Sequence, residues 1–249
     1  MRKRSISRKT FLSHGLVVLF EDKDILVVDK PTGLLTVATE MEKARTAHFI
    51  LTDYIRRGCG RSQKPLFIVH RLDRDTSGVL LFAKSEEAML RLKAHWKQTE
   101  KKYLAVVHGK LEKRSDTISS FLEEDQAYTM RSTPDNTKGK LSRTTYNVLK
   151  EKKGFSLLEV VLLTGRKNQI RVHLASIGHP VVGDTKYGNT DEVYERLALH
   201  ARSIAFKHPF SGKQLAFEAE IPSFFAILMG RMDTEANLSG QTAILPRAK

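Results

Sequence analysis

Cysteine and long apolar runs are what this sequence has least of. The 249 residues include one cysteine, Cys59, so an internal disulfide cannot form. Cys59 lies between two glycines, a setting typical of a loop, and a chain without disulfides suits a reducing cytoplasm. No apolar run reaches the roughly 18 residues that a transmembrane helix needs, and no segment forms a basic amphipathic helix with one fully apolar face. We therefore expect a cytoplasmic protein that does not enter a membrane.

Acidic residues are also scarce relative to basic ones. Asp and Glu total 28 against 42 Lys and Arg, which gives a formal net charge of +14. A chain this basic favours a polyanionic partner, and without a membrane-binding segment that partner is nucleic acid. Five of the first nine residues are basic, so we predict that residues 1–14 form a basic arm, either solvated or in contact with RNA phosphates.

Several well-known catalytic motifs are missing. The sequence contains no CxxC or HExxH pattern, so its nine histidines do not predict a zinc site. It also lacks the phosphate-cradling GxxxxGK[ST] loop and the GxSxG nucleophile elbow of serine hydrolases. A glycosidase with two carboxylates remains conceivable, but the basic charge suits RNA better than a neutral sugar.

The order of short strands and helices predicts an α+β fold. Strands and helices are mixed without the regular alternation of a doubly wound parallel sheet, so we expect a mixed, largely antiparallel central sheet flanked by helices. The region 112–140 is polar and contains turn dipeptides, which indicates exposed hairpins and no second core. The predicted strands are 17–20, 25–29, 67–69, 79–83, 101–109, 143–149 and 155–163.

Three segments have the apolar spacing of amphipathic helices. The first covers residues 45–57, the second runs from an N-cap at Ser85 to about Gln98, and the third begins near Arg166. In the third, Lys167 and Arg171 are four residues apart and should share one face. The expected buried positions are Phe49, Ile50, Tyr54 and Ile55, then Met89, Leu92 and Trp96, then Ile170, Leu174 and Ile177.

The most informative stretch is 67–84, FIVHRLDRDTSGVLLFAK, in which two apolar strands flank a charged loop. Loops held by rigid strands are frequent positions for reactive groups. The simplest interpretation of Asp75, Thr76 and Gly78 is a capped turn in which the glycine has a positive φ. From the residues alone, Asp73 is either ion-paired with a neighbouring arginine or a reactive carboxylate.

The segment HRLDRDTSG resembles the HRLDxxTSG loop of the RluA-type pseudouridine synthases, in which the aspartate is catalytic. The resemblance implies that Asp73 is the catalytic carboxylate. The strand KKYLAVVHG at 101–109 resembles a family strand whose tyrosine packs on the target base, which implies this role for Tyr103 and makes its hydroxyl a candidate for handling the C5 proton. The segment TGRKNQIRVHLASIGHPVVGDTKYG at 164–188 resembles a third family motif, and implies that Arg171 pairs with Asp73.

The resemblance extends from about Val17 to Pro222 and includes two departures. VVDKPTG resembles a family NKPxG segment but has Asp29 in place of the asparagine, and the pair Lys167–Asn168 replaces the usual Thr-His. The chain starts almost directly on the matching region, so we expect a compact member without an S4-type RNA-binding domain. The predicted organisation is one catalytic domain at 15–232 followed by a flexible tail at 233–249.

The resemblance implies an isomerase that converts one uridine of tRNA or of a ribosomal RNA stem-loop to pseudouridine. The base would be flipped out of its stack, and no cofactor, no metal and no DNA partner are expected. We also expect a monomer. The alternative is a non-catalytic RNA-binding or RNA-folding module on the same fold. The residues expected to bind the substrate are Arg71, His70, Arg166, Lys167 and Ile170.

Overall fold

The computed structural model describes residues 10–56, 64–188 and 192–230. Within these residues, twelve strands form a single sheet and four α-helices are present. The strands are β1 Thr10–Phe11, β2 Val17–Glu21, β3 Ile25–Lys30, β4 Phe67–Ile68, β5 Ser77–Ala83, β6 Glu100–His108, β7 Ser115–Glu124, β8 Met130–Thr133, β9 Lys140–Lys152, β10 Phe155–Leu162, β11 Leu199–Lys207 and β12 Gln214–Glu218. The helices are α1 Ala47–Arg56, α2 Glu86–Ala94, α3 Gln169–Ser176 and α4 Ser223–Met229.

The sheet runs in the order β1-β2-β3-β5-β11-β6-β10-β9-β7-β8, with β4 paired to β5 and β12 to β11. The β5–β11 pair is parallel and the other strand pairs are antiparallel. The predicted α+β fold with a mixed, largely antiparallel sheet is therefore confirmed. Strands β1 and β8 lie at opposite ends of this order.

Strand β5 lies in the middle of the sheet and is buried along its whole length. Its pairing with β4, with Phe67 opposite Ala83, brings the charged loop of residues 69–76 to the start of β5. Gly78 has a φ of +113°, and a Cβ there would lie 2.2 Å from the carbonyl oxygen of Ala201 on β11. A glycine is therefore required where β5 approaches β11, and the predicted positive φ is confirmed.

Apolar side chains cover both faces of the sheet. Leu80 and Phe82 of β5 belong to the larger core cluster, which also receives residues of α1, α3 and α4. The alternate residues Val79 and Leu81 belong to a second cluster together with residues of α2. This separation follows from the alternation of side chains along a strand.

The helices differ in part from the sequence prediction. Helix α1 buries Ala47, Leu51 and Ile55, whereas Phe49, expected in the core, is 53% exposed. Ile55 is buried and Ile50 and Tyr54 pack against the larger core cluster, as expected. Only Phe49 was assigned to the wrong side, because apolar residues occupy both sides of this helix. The N-cap at Ser85 is confirmed, since its Oγ accepts a hydrogen bond from the Ala88 amide at 3.1 Å.

Helix α3 begins at Gln169, three residues later than predicted. Asn168 has a left-handed φ of 52°, which ends the helical geometry on the N-terminal side. Lys167 and Arg171 therefore do not share a helical face, so that prediction was wrong. Ile177, expected to be buried, is 38% exposed because the helix ends at Ser176.

The hairpin predicted within 112–140 is formed by β7 and β8 at one end of the sheet. It is not wholly solvated, because Leu122 and Met130 form a small cluster with Val172 of α3. No helix in the described part of the chain is long and apolar enough to cross a membrane. Cys59, the tail at 233–249 and most of the predicted arm lie outside the described residues.

Candidate active site

Asp73 lies in the loop between β4 and β5, with 28% of its side chain exposed. Its Oδ2 accepts a hydrogen bond of 2.7 Å from Nδ2 of Asn168, the residue just before α3. The carboxylate is thus fixed from one side and open to solvent on another. A neutral amide donor stabilises its negative charge without adding a charge of its own.

Segment 30–36 holds the Asp73 loop in position. Nζ of Lys30 donates to the carbonyls of Pro31, Leu34 and Arg74 at 2.8, 2.7 and 3.0 Å. Thr36 Oγ1 both donates to the carbonyl of Leu72 and accepts from its amide, at 2.8 and 3.1 Å. These bonds tie the backbone on either side of Asp73 to the turn that follows β3.

Lys30 is fully buried, and burial lowers the pKa of its ammonium group to about 7. The nearby negative charges of Asp75 and Asp73 act in the opposite direction. Three carbonyl acceptors match the three protons of an ammonium group, so the geometry is that of a charged lysine serving as a structural clamp.

Arg171 connects Asp73 to a second, buried carboxylate. Its Nη1 lies 3.8 Å from Oδ2 of Asp73, while its Nε and Nη2 donate to Oδ2 and Oδ1 of Asp184, both at 2.7 Å. Burial is the largest single influence on Arg171 and lowers the pKa of the guanidinium, but the hydrogen bonds and negative charge of Asp184, together with the charge of Asp73, outweigh burial and raise this pKa. The bidentate partner of Arg171 is therefore Asp184, and the implied contact with Asp73 is the longer one.

Tyr187 contacts both Arg171 and Asn168, the two residues that flank the Asp73 carboxylate. Its ring centroid lies 5.1 Å from Cζ of Arg171, within the range of a cation–π contact. Its hydroxyl donates to Oδ1 of Asn168 at 3.3 Å and accepts from the Met130 amide at 3.2 Å. A continuous chain of polar contacts therefore runs from the start of β8 through Tyr187 and Asn168 to Asp73.

Tyr103 lies on β6 and is 7% exposed, within the larger core cluster. Burial raises the pKa of its hydroxyl, and the negative charge of Asp73 raises it further. The phenol is therefore protonated at neutral pH. Asp73, Tyr103 and Arg171, which the sequence singled out as catalytic, are brought together by the fold.

The other residues expected to bind the substrate are more dispersed. Arg71 is exposed on the Asp73 loop, and Arg166 is exposed in the segment before α3. Ile170 is buried in the larger core cluster. Lys167 contacts Glu124 through its ammonium group and donates to the carbonyl of Tyr128 at 3.1 Å.

His70 lies on the other side of the sheet. Its ring packs against Trp96 of the second cluster with 4.9 Å between centroids, and its Nε2 accepts from the Leu81 amide at 3.0 Å. Burial, assisted by the charge of Lys101, lowers the pKa of His70 to about 3. The fold therefore does not bring this ring to Tyr103, which belongs to the opposite cluster.

One group of possible metal ligands occurs in the described ranges, formed by Asp22, Asp24 and His208. Nδ1 of His208 accepts from the amides of Phe210 and Ser211 at 3.3 and 3.1 Å. The imidazole therefore carries its proton on Nε2, which donates to Oδ2 of Asp22 at 3.0 Å. Because neither ring nitrogen offers a free lone pair, this arrangement fits a hydrogen-bonded clamp better than a metal site.

Sequence reasoning missed four supporting residues: Lys30, Asn168, Asp184 and Tyr187. All four lie in segments that resemble family motifs, but motif letters do not reveal which side chains touch. In the sequence, Asn168 stands out only as a departure from the usual family pattern. A signal was nevertheless present for Asp184, since a lone acid after a buried strand-like run requires a basic partner.

Comparison with known proteins identifies the family. The family described as RNA pseudouridylate synthase matches residues 24–176, so the chain belongs to it. An uncharacterized RNA pseudouridine synthase of Mycoplasma pneumoniae is 38% identical over 217 residues, which cover 85% of this chain and 68% of the relative. Ribosomal large subunit pseudouridine synthase D of Nitrosomonas europaea is 38% identical over 226 residues, which cover 86% of this chain and 64% of the relative.

The fold agrees with this assignment. The structure of human RNA Pseudouridylate Synthase Domain Containing 4 superposes with a TM-score of 0.70 at 23% sequence identity, over 84% of this chain and 90% of that one. The predicted family resemblance and reaction class are confirmed: this is an RNA-modifying isomerase of the pseudouridine synthase family. Nothing in these comparisons supports the alternative of a non-catalytic RNA-binding module.

Proposed function

We propose that the enzyme converts a specific uridine of large-subunit ribosomal RNA to pseudouridine, with Asp73 as the essential carboxylate. The observation that carries this proposal is the arrangement of Asp73, which is partly open to solvent yet fixed by Asn168 at 2.7 Å and flanked by Arg171 at 3.8 Å. An oriented carboxylate with one accessible side is suited to attack a substrate held above it.

The reaction balances without a cofactor. The bond between N1 of uracil and C1′ of the ribose breaks, the base rotates, C5 bonds to C1′, and the proton on C5 is lost to solvent as N1 gains one. The carboxylate of Asp73 can assist by attack at C1′, by attack at C6, or by removal of the 2′ proton. Arg171 maintains the direction of the carboxylate in each case through a charge-assisted contact.

Tyr103 and Arg71 have distinct proposed roles. The Tyr103 ring forms the apolar floor on which the uracil rests, and its protonated hydroxyl is a candidate for relaying the C5 proton. A uridine stacked in RNA is out of reach of the Asp73 carboxylate, so the base must be flipped out of its stack. The exposed guanidinium of Arg71, two residues before Asp73, is suited to fill the vacated space.

The names of relatives support the substrate class. The relative from Nitrosomonas europaea is called a large-subunit ribosomal enzyme, and the positive charge of +14 is appropriate for structured RNA. A tRNA is the alternative substrate. We further propose that residues 15–232 form the catalytic domain and that the enzyme acts as a monomer in the cytoplasm.

Pseudouridine mapping in cells tests this proposal. Total RNA from cells lacking the gene is compared with RNA from cells complemented by wild type, by Asp73→Asn, or by the surface control Asp116→Asn. We expect one ribosomal site to be lost on deletion and restored by wild type and the control alone. Restoration by Asp73→Asn would refute the role of Asp73, and a restored site in tRNA would correct the substrate.

A further inference from the structure

The turn between β7 and β8 presents an aromatic side chain to solvent. Tyr128 is 74% exposed and its backbone adopts a left-handed φ of 56°. This conformation is unfavourable for a bulky residue with a Cβ atom, and glycine would adopt it without strain. A ring this exposed contributes little to packing within the chain, so burial does not explain the strained conformation, which points instead to a contact made outside the chain.

The backbone of the turn is fixed by hydrogen bonds, which gives the Cα atom of Tyr128 a defined position. The amide of Tyr128 donates to the carbonyl of Asp125 at 3.0 Å, and the Asp125 amide donates to the carbonyl of Thr129 at 2.9 Å. Oδ1 of Asp125 also accepts from the amides of Ala127 and Thr129 at 2.9 and 2.8 Å. A ring carried by an ordered turn binds with a smaller loss of backbone conformational entropy than one on a loose loop.

Two lysine ammonium groups converge on this turn. Nζ of Lys167 and Nζ of Lys186 both donate to the carbonyl of Tyr128, at 3.1 and 3.3 Å. Nζ of Lys167 also lies 6.0 Å from the centroid of the Tyr128 ring and contacts the carboxylate of Glu124, which offsets part of its charge. An exposed aromatic face beside positive charge is the combination that binds single-stranded nucleic acid, through stacking on the ring and attraction of the phosphate.

The turn is connected to the active site. Met130, two residues after Tyr128, donates its amide to the Tyr187 hydroxyl at 3.2 Å, and Tyr187 contacts Asn168, the partner of Asp73. Lys167 precedes Asn168 directly in the chain. The aromatic surface and the carboxylate are therefore parts of one hydrogen-bonded unit.

We propose that Tyr128 is a stacking platform for an unpaired nucleotide that flanks the target uridine, with Lys167 and Lys186 facing its phosphate. This inference rests on the proposed function, since it assumes an RNA substrate whose reactive base lies over Asp73. The platform holds the RNA strand outside the pocket while the target base is inside.

Steady-state kinetics on RNA from cells that lack the gene tests this inference. Tyr128→Ala should raise KM by about 5- to 150-fold, the range for loss of one stacked base, with kcat within about twofold of wild type. Tyr128→Phe keeps the ring and should behave as wild type. The matched control is Phe11→Ala, because Phe11 is also 74% exposed but lies on β1, at the opposite end of the sheet.

Tyr128→Gly separates stacking from a structural role. Glycine relieves the positive φ, so the melting temperature should stay the same or rise while KM rises as it does in Tyr128→Ala. An unchanged KM in both variants would overturn the inference. A melting temperature lowered so far that unfolding explains the reduced activity would overturn it as well. If the wild-type enzyme forms no pseudouridine on this RNA, the proposed function fails. If the wild-type enzyme is active and the Tyr128 variants have the same KM, only the inference about Tyr128 fails.

Discussion

Removal of Asp184 should destabilise the protein strongly. Arg171 is 8% exposed and Asp184 fully buried at its side chain, and Asp184 also accepts from the amides of Lys186 and Tyr187, both at 3.0 Å. Breaking a buried ion pair by deleting one partner costs about 3–5 kcal/mol, because Arg171 would lose its bidentate partner in the interior and keep only the longer contact of 3.8 Å with Asp73. For a chain of this size, that corresponds to a fall in melting temperature of about 6–20 °C.

Urea unfolding of Asp184→Ala, Arg171→Met and the double variant measures this cost. The double variant should be less destabilised than Asp184→Ala alone, since it leaves no buried charge without a partner. The surface control Asp116→Ala should leave the free energy of unfolding almost unchanged, because its partner Lys113 is exposed. A loss below about 1 kcal/mol for Asp184→Ala, or a double variant as unstable as the single one, would refute the reasoning.

Three further predictions follow from the same geometry. Tyr103→Phe should fold normally but lower the single-turnover rate constant by about 10²- to 10⁴-fold if the hydroxyl relays a proton. An unchanged single-turnover rate constant would exclude that role. Asn168→Asp replaces the amide that donates to Asp73 at 2.7 Å with a second carboxylate. Activity at pH 8 should therefore fall at least about tenfold and recover partly towards pH 5, where the two carboxylates share a proton. An activity that does not depend on pH in this way would contradict the prediction. Burial lowers the pKa of His173 to about 4 and of His200 to about 3. Below about pH 6.5 the unfolded chain therefore binds more protons at these histidines than the folded chain does. The free energy of unfolding should fall between pH 7 and 4 by up to about 1.4 kcal/mol per pH unit for each histidine. Urea unfolding at pH 7, 6 and 5 checks this, and a slope unaffected by His173→Asn would argue against it.

The sequence predicted the architecture because its strands are strongly patterned. The hairpin of β2 and β3 and the fully buried β5 are evident from short runs of β-branched and aromatic residues bounded by polar turns. Helix faces were less predictable, as Phe49 shows, because apolar residues on α1 exceed the width of its buried stripe.

The candidate site was only partly predictable, for a physical reason. Asp73, Tyr103 and Arg171 stand in segments with a recognisable pattern, but the contacts that orient them join residues distant in sequence. Asn168, for example, is 95 positions from Asp73, and its left-handed backbone conformation is not evident from the sequence either. Local patterns carry no information on such pairings.

Release of tritium from RNA labelled at C5 of uridine tests the central claim most directly, because bonding of C5 to C1′ expels the hydrogen on C5. Wild-type enzyme should release tritium in proportion to the pseudouridine formed. Asp73→Asn should release none while its melting temperature and RNA affinity remain close to those of wild type, since the Asp73 side chain is 28% exposed and outside the core. Release at the wild-type rate by Asp73→Asn would contradict the account.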